Sequence, residues 1–210
     1  MYTPPHFAET DPATLHRFME QHSFATLVSL DGEGVPQASH LPLLLDRDRG
    51  EQGELIGHWA RANPQAERKD GETVIAIFHG PHAYISPTWY QTTNVVPTWN
   101  YVAVHVTGTV SVDDSLDARR DCVRRTVDYY ESTRPQPWSL DTPDPEFVDR
   151  LLNAIVCFRI RIQRIEGKWK LSQNHDLERR SRVIAALREE KREDAHQIAA
   201  LMQQIGGETG

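Results

Sequence analysis

From Val96 to Val112 the chain alternates with a period of two. Val102, Val104, Val106, Gly108 and Val110 take one side, and Tyr101, Ala103, His105, Thr107 and Thr109 take the other. Successive side chains of a strand point to opposite faces, so the pattern predicts one long strand with a buried valine face and a polar face able to meet a ligand. Such a strand needs a sheet around it. Residues 24–30 and 35–45, joined by Asp31-Gly32-Glu33-Gly34, read as a hairpin whose second strand is broken by Pro42. Residues 53–59, 73–78 and 155–165 read as further strands, with a turn at Gly167 into a last strand over 168–171.

Helix signals punctuate this β pattern. Asp11-Pro12 reads as an N-cap followed by an N1 proline, and Leu15, Phe18 and Met19 recur at helical spacing, predicting a helix over 12–22. Asn63-Pro64 followed by Gln65, Ala66, Glu67 and Arg68 predicts one short capped helix. Apolar stripes predict helices over 116–132 and 146–153, and a single helix from His175 to the stop at Gly206-Gly207. The expected class is α+β, mainly β: a barrel-like antiparallel sheet of about six to eight strands with peripheral helices and a C-terminal helix. The expected division is a barrel domain over 1–174 and an amphipathic helix over 175–210. The apolar strands and terminal helix exceed what one small barrel buries, which predicts a homodimer.

Charge limits the partners. Lys plus Arg number 23 against 30 Asp plus Glu, a net charge of −7, so nothing draws the whole chain toward nucleic acid or an anionic membrane. A local basic patch could exist at Arg179, Arg180, Arg182, Arg188, Lys191 and Arg192, but Asp176, Glu178, Glu189, Glu190, Glu193 and Asp194 balance it, which predicts a solvated, salt-bridged helix face. DNA binding is therefore not supported by charge. The first residues lack a signal-peptide pattern and no apolar run nears the roughly 20 residues of a membrane span, so the expected location is the cytoplasm. Cys122 and Cys157 lack CxxC spacing and are expected as buried free thiols.

The segment from Phe78 to Tyr101 carries the chemistry. Trp89, Tyr90, Trp99 and Tyr101 offer flat apolar faces, and His79, Ser86, Thr88, Thr98 and Asn100 offer orienting hydrogen bonds, the makeup of a small-molecule cleft. His79 and His82 around Gly80-Pro81 read as turn residues rather than metal ligands. Arg61 and Asn63 stand between a strand and a helix start, where a phosphate could meet backbone amides and a guanidinium fork. Common nucleotide, zinc-protease and hydrolase motifs are absent. No nucleophile or carboxylate pair stands out, and general acid work falls to His40, His58, His79 or Tyr84.

Six ordered motifs support a resemblance. MYTPPHF at the start, His40-Leu41-Pro42, GHWARANPQ at 57–65, FHGPHAYISPTWY at 78–90, VPTWNYVAVHVTG at 96–108 and KLSQN at 170–174 together resemble the PaiB family of FMN-binding negative transcriptional regulators. The resemblance implies an FMN-binding split barrel in which two protomers share the flavin. It implies that Ala60, Arg61 and Asn63, with His58 beside them, lie where the FMN phosphate is gripped, and that His40, Leu41 and Pro42 flank the isoalloxazine. Trp99, Asn100 and Tyr101 would meet the flavin from the partner side, closed by Lys170, Ser172 and Gln173. The implied function is a PaiB-like regulator acting as a flavin-binding dimer. The alternative is a flavin-dependent oxidoreductase acting on a small molecule or a nicotinamide nucleotide.

Overall fold

The alternating segment forms strand β7 (Thr98–Val112), and its valines lie on the buried side as the period demands. In the computed structural model, which describes residues 1–67 and 70–207, the other elements follow in chain order. They are β1 (Ala8–Glu9), α1 (Pro12–Gln21), β2 (Phe24–Leu30), β3 (Pro36–Pro42), β4 (Leu44–Asp46), β5 (Glu54–Ala60) and β6 (Thr73–Ile85). After β7 come α2 (Leu116–Glu131), α3 (Pro145–Leu152), β8 (Ile155–Lys170), α4 (Leu177–Glu189) and α5 (Glu193–Gly207). The strands pair in the order β3-β2-β6-β7-β8-β5-β4, with β1 added on β8. This is the expected α+β, mainly β class. Arg68, expected in the short helix, lies outside the described residues; Pro64–Glu67 forms a 3-10 turn.

The chain divides into two compact units. One comprises residues 16–78 and 105–165. Its hairpin pairs Thr26 with His40 and Ala25 with Leu41, and the Pro42 break separates β3 from β4. β5 lies antiparallel on β8 with Trp59 opposite Val156 and His58 opposite Cys157. Trp59 stacks on Phe158 at 3.8 Å between centroids, and Leu27, Leu55, Phe78 and Ile160 are buried in the same unit. β7 and β8 approach closely at Gly108, where an added Cβ would stand 2.5 Å from the Arg161 carbonyl oxygen. Cys122 and Cys157 are free and buried beside Ile56, and the hydrogen bond that the Cys122 thiol donates to Cys157, with burial, pushes the Cys122 thiol up.

The other unit comprises residues 1–15, 79–104 and the chain from Glu166 onward. Three expectations are corrected here. The segment around Gly80-Pro81 is strand, not turn: burial alternates through Pro81, Ala83 and Ile85, so the apolar period outweighs the local turn signal and places His79 and His82 within β6. Gly167 does not turn either. It pairs with Glu9 of β1, and an added Cβ would stand 2.9 Å from the Glu9 carbonyl oxygen, so the glycine permits close strand approach. The terminal helix is two helices. The run from Glu189 to Asp194 offers no apolar residue to continue the stripe; the chain breaks at extended Glu190, and Val183, Leu187, Ile198 and Met202 are buried along α4 and α5.

The ion-paired reading of the terminal arginines also changes. Arg180 is buried and donates to the Met202 carbonyl at 3.0 Å, while Arg182 donates to the Tyr90 carbonyl at 2.8 Å as well as pairing with Glu178. No described helix is long and apolar enough to cross a membrane.

Gly108→Ala is expected to destabilise the protein by about 1–3 kcal/mol, because the clash is with backbone that cannot swing aside. Urea unfolding of the two proteins measures this.

Candidate functional site

The expected site residues fall in two groups, one in each unit. In the first, His40 is exposed on β3 and its Nδ1 lies 3.0 Å from Thr26 Oγ1, while Leu41 is buried and Pro42 half-buried. Asn63 is held against the same strand. Its Nδ2 donates to Ser39 Oγ at 2.8 Å, and its Oδ1 accepts from the Gln65 amide at 2.9 Å, fixing the turn after Ala60. The structure thus brings Asn63 to the strand that carries His40.

Arg61 is employed differently from the open fork its sequence context suggests. Its two terminal nitrogens form a bidentate pair with Asp114 at 2.9 and 2.7 Å. Nε donates to the Asn153 carbonyl and Nη2 to that of Ile155. Helix α3 ends at Leu152 with Asn153 as its C-cap, so Arg61 supplies a donor to the Asn153 carbonyl that the helix end leaves free and ties it to the first residue of β8, Ile155. Arg119 joins in by donating to the Leu152 carbonyl and Asn153 Oδ1. The Arg61 charge is therefore largely compensated, with one Nη1–H left for a ligand. Nothing in the sequence pattern signals Asp114 as its partner, 53 residues away.

In the second group, Trp99 is 47% exposed and forms an open edge with Tyr84, 46% exposed, and His82; both ring pairs have centroids 5.9 Å apart. Tyr101 is half-buried beneath the Lys168 ammonium, 5.2 Å from its ring centroid. Asn100 is fully buried, exchanges hydrogen bonds with Ser172 Oγ at 3.0 and 3.2 Å, and touches the Met202 sulfur. Gln173 spends its amide on its own chain, accepting from the Leu171 amide and donating to the Trp169 carbonyl. That clasp holds Ser172 at a φ of 64°, a left-handed conformation uncommon for a residue with a side chain. Gln173 is thus a shaping residue.

Asn100, Ser172 and Lys170 line a recess of about 380 Å³ in this unit. Lys170 Nζ donates to the Trp99 carbonyl and to Thr98 Oγ1, and burial followed by the Lys168 charge holds it below the ordinary lysine value. Sequence reasoning did not single out several polar recess residues, among them His6, Asn94, Asn174, His175 and Arg179. Arg179 lies 4.0 Å over the Tyr90 ring, and its Nη1 is 3.2 Å from His175 Nδ1. Asn94 also has a left-handed φ, 59°, in a segment whose sequence, TTNVVP, resembles an ordinary loop.

Similarity to known proteins decides the family. Residues 1–164 match the family described as "Putative FMN-binding domain". The chain is 36% identical over 204 residues, 97% of each chain, to protease synthase and sporulation protein PAI 2 of Bacillus subtilis. It belongs to the PaiB family of FMN-binding proteins. An uncharacterized protein of Aspergillus fumigatus is 29% identical, covering 88% of this chain and 89% of its own. Among solved structures, the flavocytochrome Anf3 of Azotobacter vinelandii is similar at TM-score 0.58 and 13% identity, covering 83% of this chain and 75% of that one. The FAD and heme binding protein of Mycobacterium smegmatis is similar at 0.56 and 17%, covering 85% and 79%. These likenesses show the split-barrel type of fold. The family makes FMN the cofactor of this chain, and the open Trp99–Tyr84 edge offers the flat apolar surface that a flavin ring needs.

Two outcomes test this geometry. Burial holds His58 and His22 below the ordinary 6.5, so as pH falls below about 6.5 the unfolded chain binds protons the folded chain does not, and stability drops until the folded histidines are also protonated. His58→Gln should make that drop smaller in urea titrations at about pH 7 and about pH 5.5. Arg61→Ala should lower the melting temperature, because it uncaps α3 and releases Asp114; an unchanged melting curve would contradict the capping role.

Proposed function

We propose that the chain works as a PaiB-like regulatory flavoprotein: a homodimer that binds FMN and acts on gene expression indirectly. The observation that carries this is the open ring edge of His82, Tyr84 and Trp99, with Val96 close by in sequence at 75% exposure, in a chain whose family binds FMN. An apolar aromatic edge left in water is costly, and a flat cofactor together with a second copy would cover it. On this reading His40, Leu41, Pro42, His58, Ala60, Arg61 and Asn63 of one copy meet FMN, and the partner's Trp99 and Tyr101 close over it. Asn100, Lys170, Ser172 and Gln173 keep that edge in shape. The Bacillus relative's name refers to protease synthase and sporulation, which supports a role in control. A net charge of −7, with Arg180 and Arg182 turned inward, favours control without direct DNA contact.

The second reading, a flavin-dependent oxidoreductase, is favoured by the recess, which could receive a small substrate. Bound FMN supplies one- and two-electron transfer.

Purified protein should titrate with FMN, sediment as a dimer, and give no gel shift at physiological salt. Trp99→Ala should weaken FMN by about 2- to 12-fold, the range for one aromatic pair. A monomer with unaltered affinity in that variant would overturn the proposal. Bleaching by NADH or NADPH with turnover would instead select the oxidoreductase.

A further inference from the structure

The recess holds more positive charge than its surroundings explain. Lys170 and Arg179 line it beside the imidazoles of His175 and His6, and none of its lining residues is acidic, in a chain of net charge −7. The nearby Asp176 carboxylate is occupied as the cap of α4, accepting from the Arg179 amide at 2.8 Å. The guanidinium of Arg179 makes no ion pair within 4 Å among the described residues, although its charge helps lower the Asp176 carboxyl: it rests on the Tyr90 ring and the His175 imidazole, and its Nε is buried without a hydrogen bond. A guanidinium spared from ion pairing and held flat by a ring is prepared for an oxyanion.

A second observation is independent of charge. Three non-glycine residues in the described chain have left-handed backbones, Gln91, Asn94 and Ser172. All three belong to the unit that holds the recess, and Asn94 and Ser172 line it. Each such conformation costs on the order of 1–3 kcal/mol and persists where the surroundings over-determine it, as at ligand sites. Here the Gln173 clasp and the buried Asn100 pair do the determining. The remaining wall, Phe7, Tyr90, Val95 and Val96, is apolar and partly aromatic, and the volume of about 380 Å³ lies within the range of small-molecule clefts.

We infer that this recess is a binding site for a small organic anion, a carboxylate or phosphate head on a flat apolar body, with Arg179 and Lys170 facing the head and Phe7 and Tyr90 the body. The site goes beyond the flavin reading and does not depend on it. Ser172 and Asn100 set the floor, and Asn94 and Asn174 offer neutral hydrogen bonds that fix orientation.

Isothermal titration of the FMN-free full chain at low salt with benzoate, phenyl phosphate and inorganic phosphate tests this. The expected result is saturable one-to-one binding of benzoate or phenyl phosphate, the tighter of the two naming the head group. Inorganic phosphate should bind at least tenfold more weakly than phenyl phosphate. Arg179→Gln should weaken the aromatic probe at least tenfold. Val96→Glu, an exposed change at the rim that leaves the core alone, should weaken it severalfold. FMN binding is followed separately by quenching of flavin fluorescence, and saturating FMN should leave probe binding intact. The inference is overturned if neither aromatic probe saturates, if both variants bind as the parent does, if inorganic phosphate equals phenyl phosphate, or if FMN displaces the probe. Displacement would make the recess part of the flavin's own site, whereas absent FMN binding with retained probe binding would sink the flavin reading alone.

Discussion

The burial of one face of β7 is the constraint from which most of this fold follows. Val102, Val104, Val106 and Val110 cannot remain in water, and burying them requires strands on either side that are also long. β6 and β8 meet that requirement at 13 and 16 residues, and each keeps an alternating pattern over much of its length. Once the valine face is committed, the opposite face of β7 is fixed as well, because a one-residue slip would exchange the two. Tyr101 and His105 are consequently held on the face opposite the valines.

Polar anchors then sharpen what hydrophobic burial leaves loose. The Asn100–Ser172 pair is completely enclosed, and removing one partner would leave the other without water or bond, a cost of about 1–3 kcal/mol. Arg61 has a comparable part in the other unit, tying Asp114 and the end of α3 to the turn after β5. Both residues look like ligand contacts in the sequence, yet each has structural bonds of its own. A binding residue that is also an anchor is presented rigidly, which lowers the entropy lost when a ligand arrives.

How much was legible depended on the range of the interaction. The strand period of β7, the hairpin before Pro42, and the start of α1 at Asp11-Pro12 are local signals, and each gave its element closely. The Gly80-Pro81 and Gly167 positions misled because a turn signal cannot show that a neighbouring strand needs the space or continues the ladder. The break at Glu190 was hidden because a helical stripe looks the same whether the chain runs on or folds back. For the site, the motif-bearing residues were named, but the partners of Arg61 and the company kept by Arg179 lie far away in sequence. Charge balance along α4 made Arg179, Arg180 and Arg182 look like surface residues.

The recess joins distant parts of the chain. His6 and Phe7 meet side chains from Lys170 to Arg179, and the same region links Met1 to Glu166 and Tyr2 to Lys168, contacts 165 and 166 residues apart. Closing so large a loop is entropically slow, so this corner should assemble after the local hairpins and, by the same reasoning, open before them. Any molecule held there acts as a latch between the two ends of the polypeptide, and its occupancy is read out as the rate at which the ends come apart.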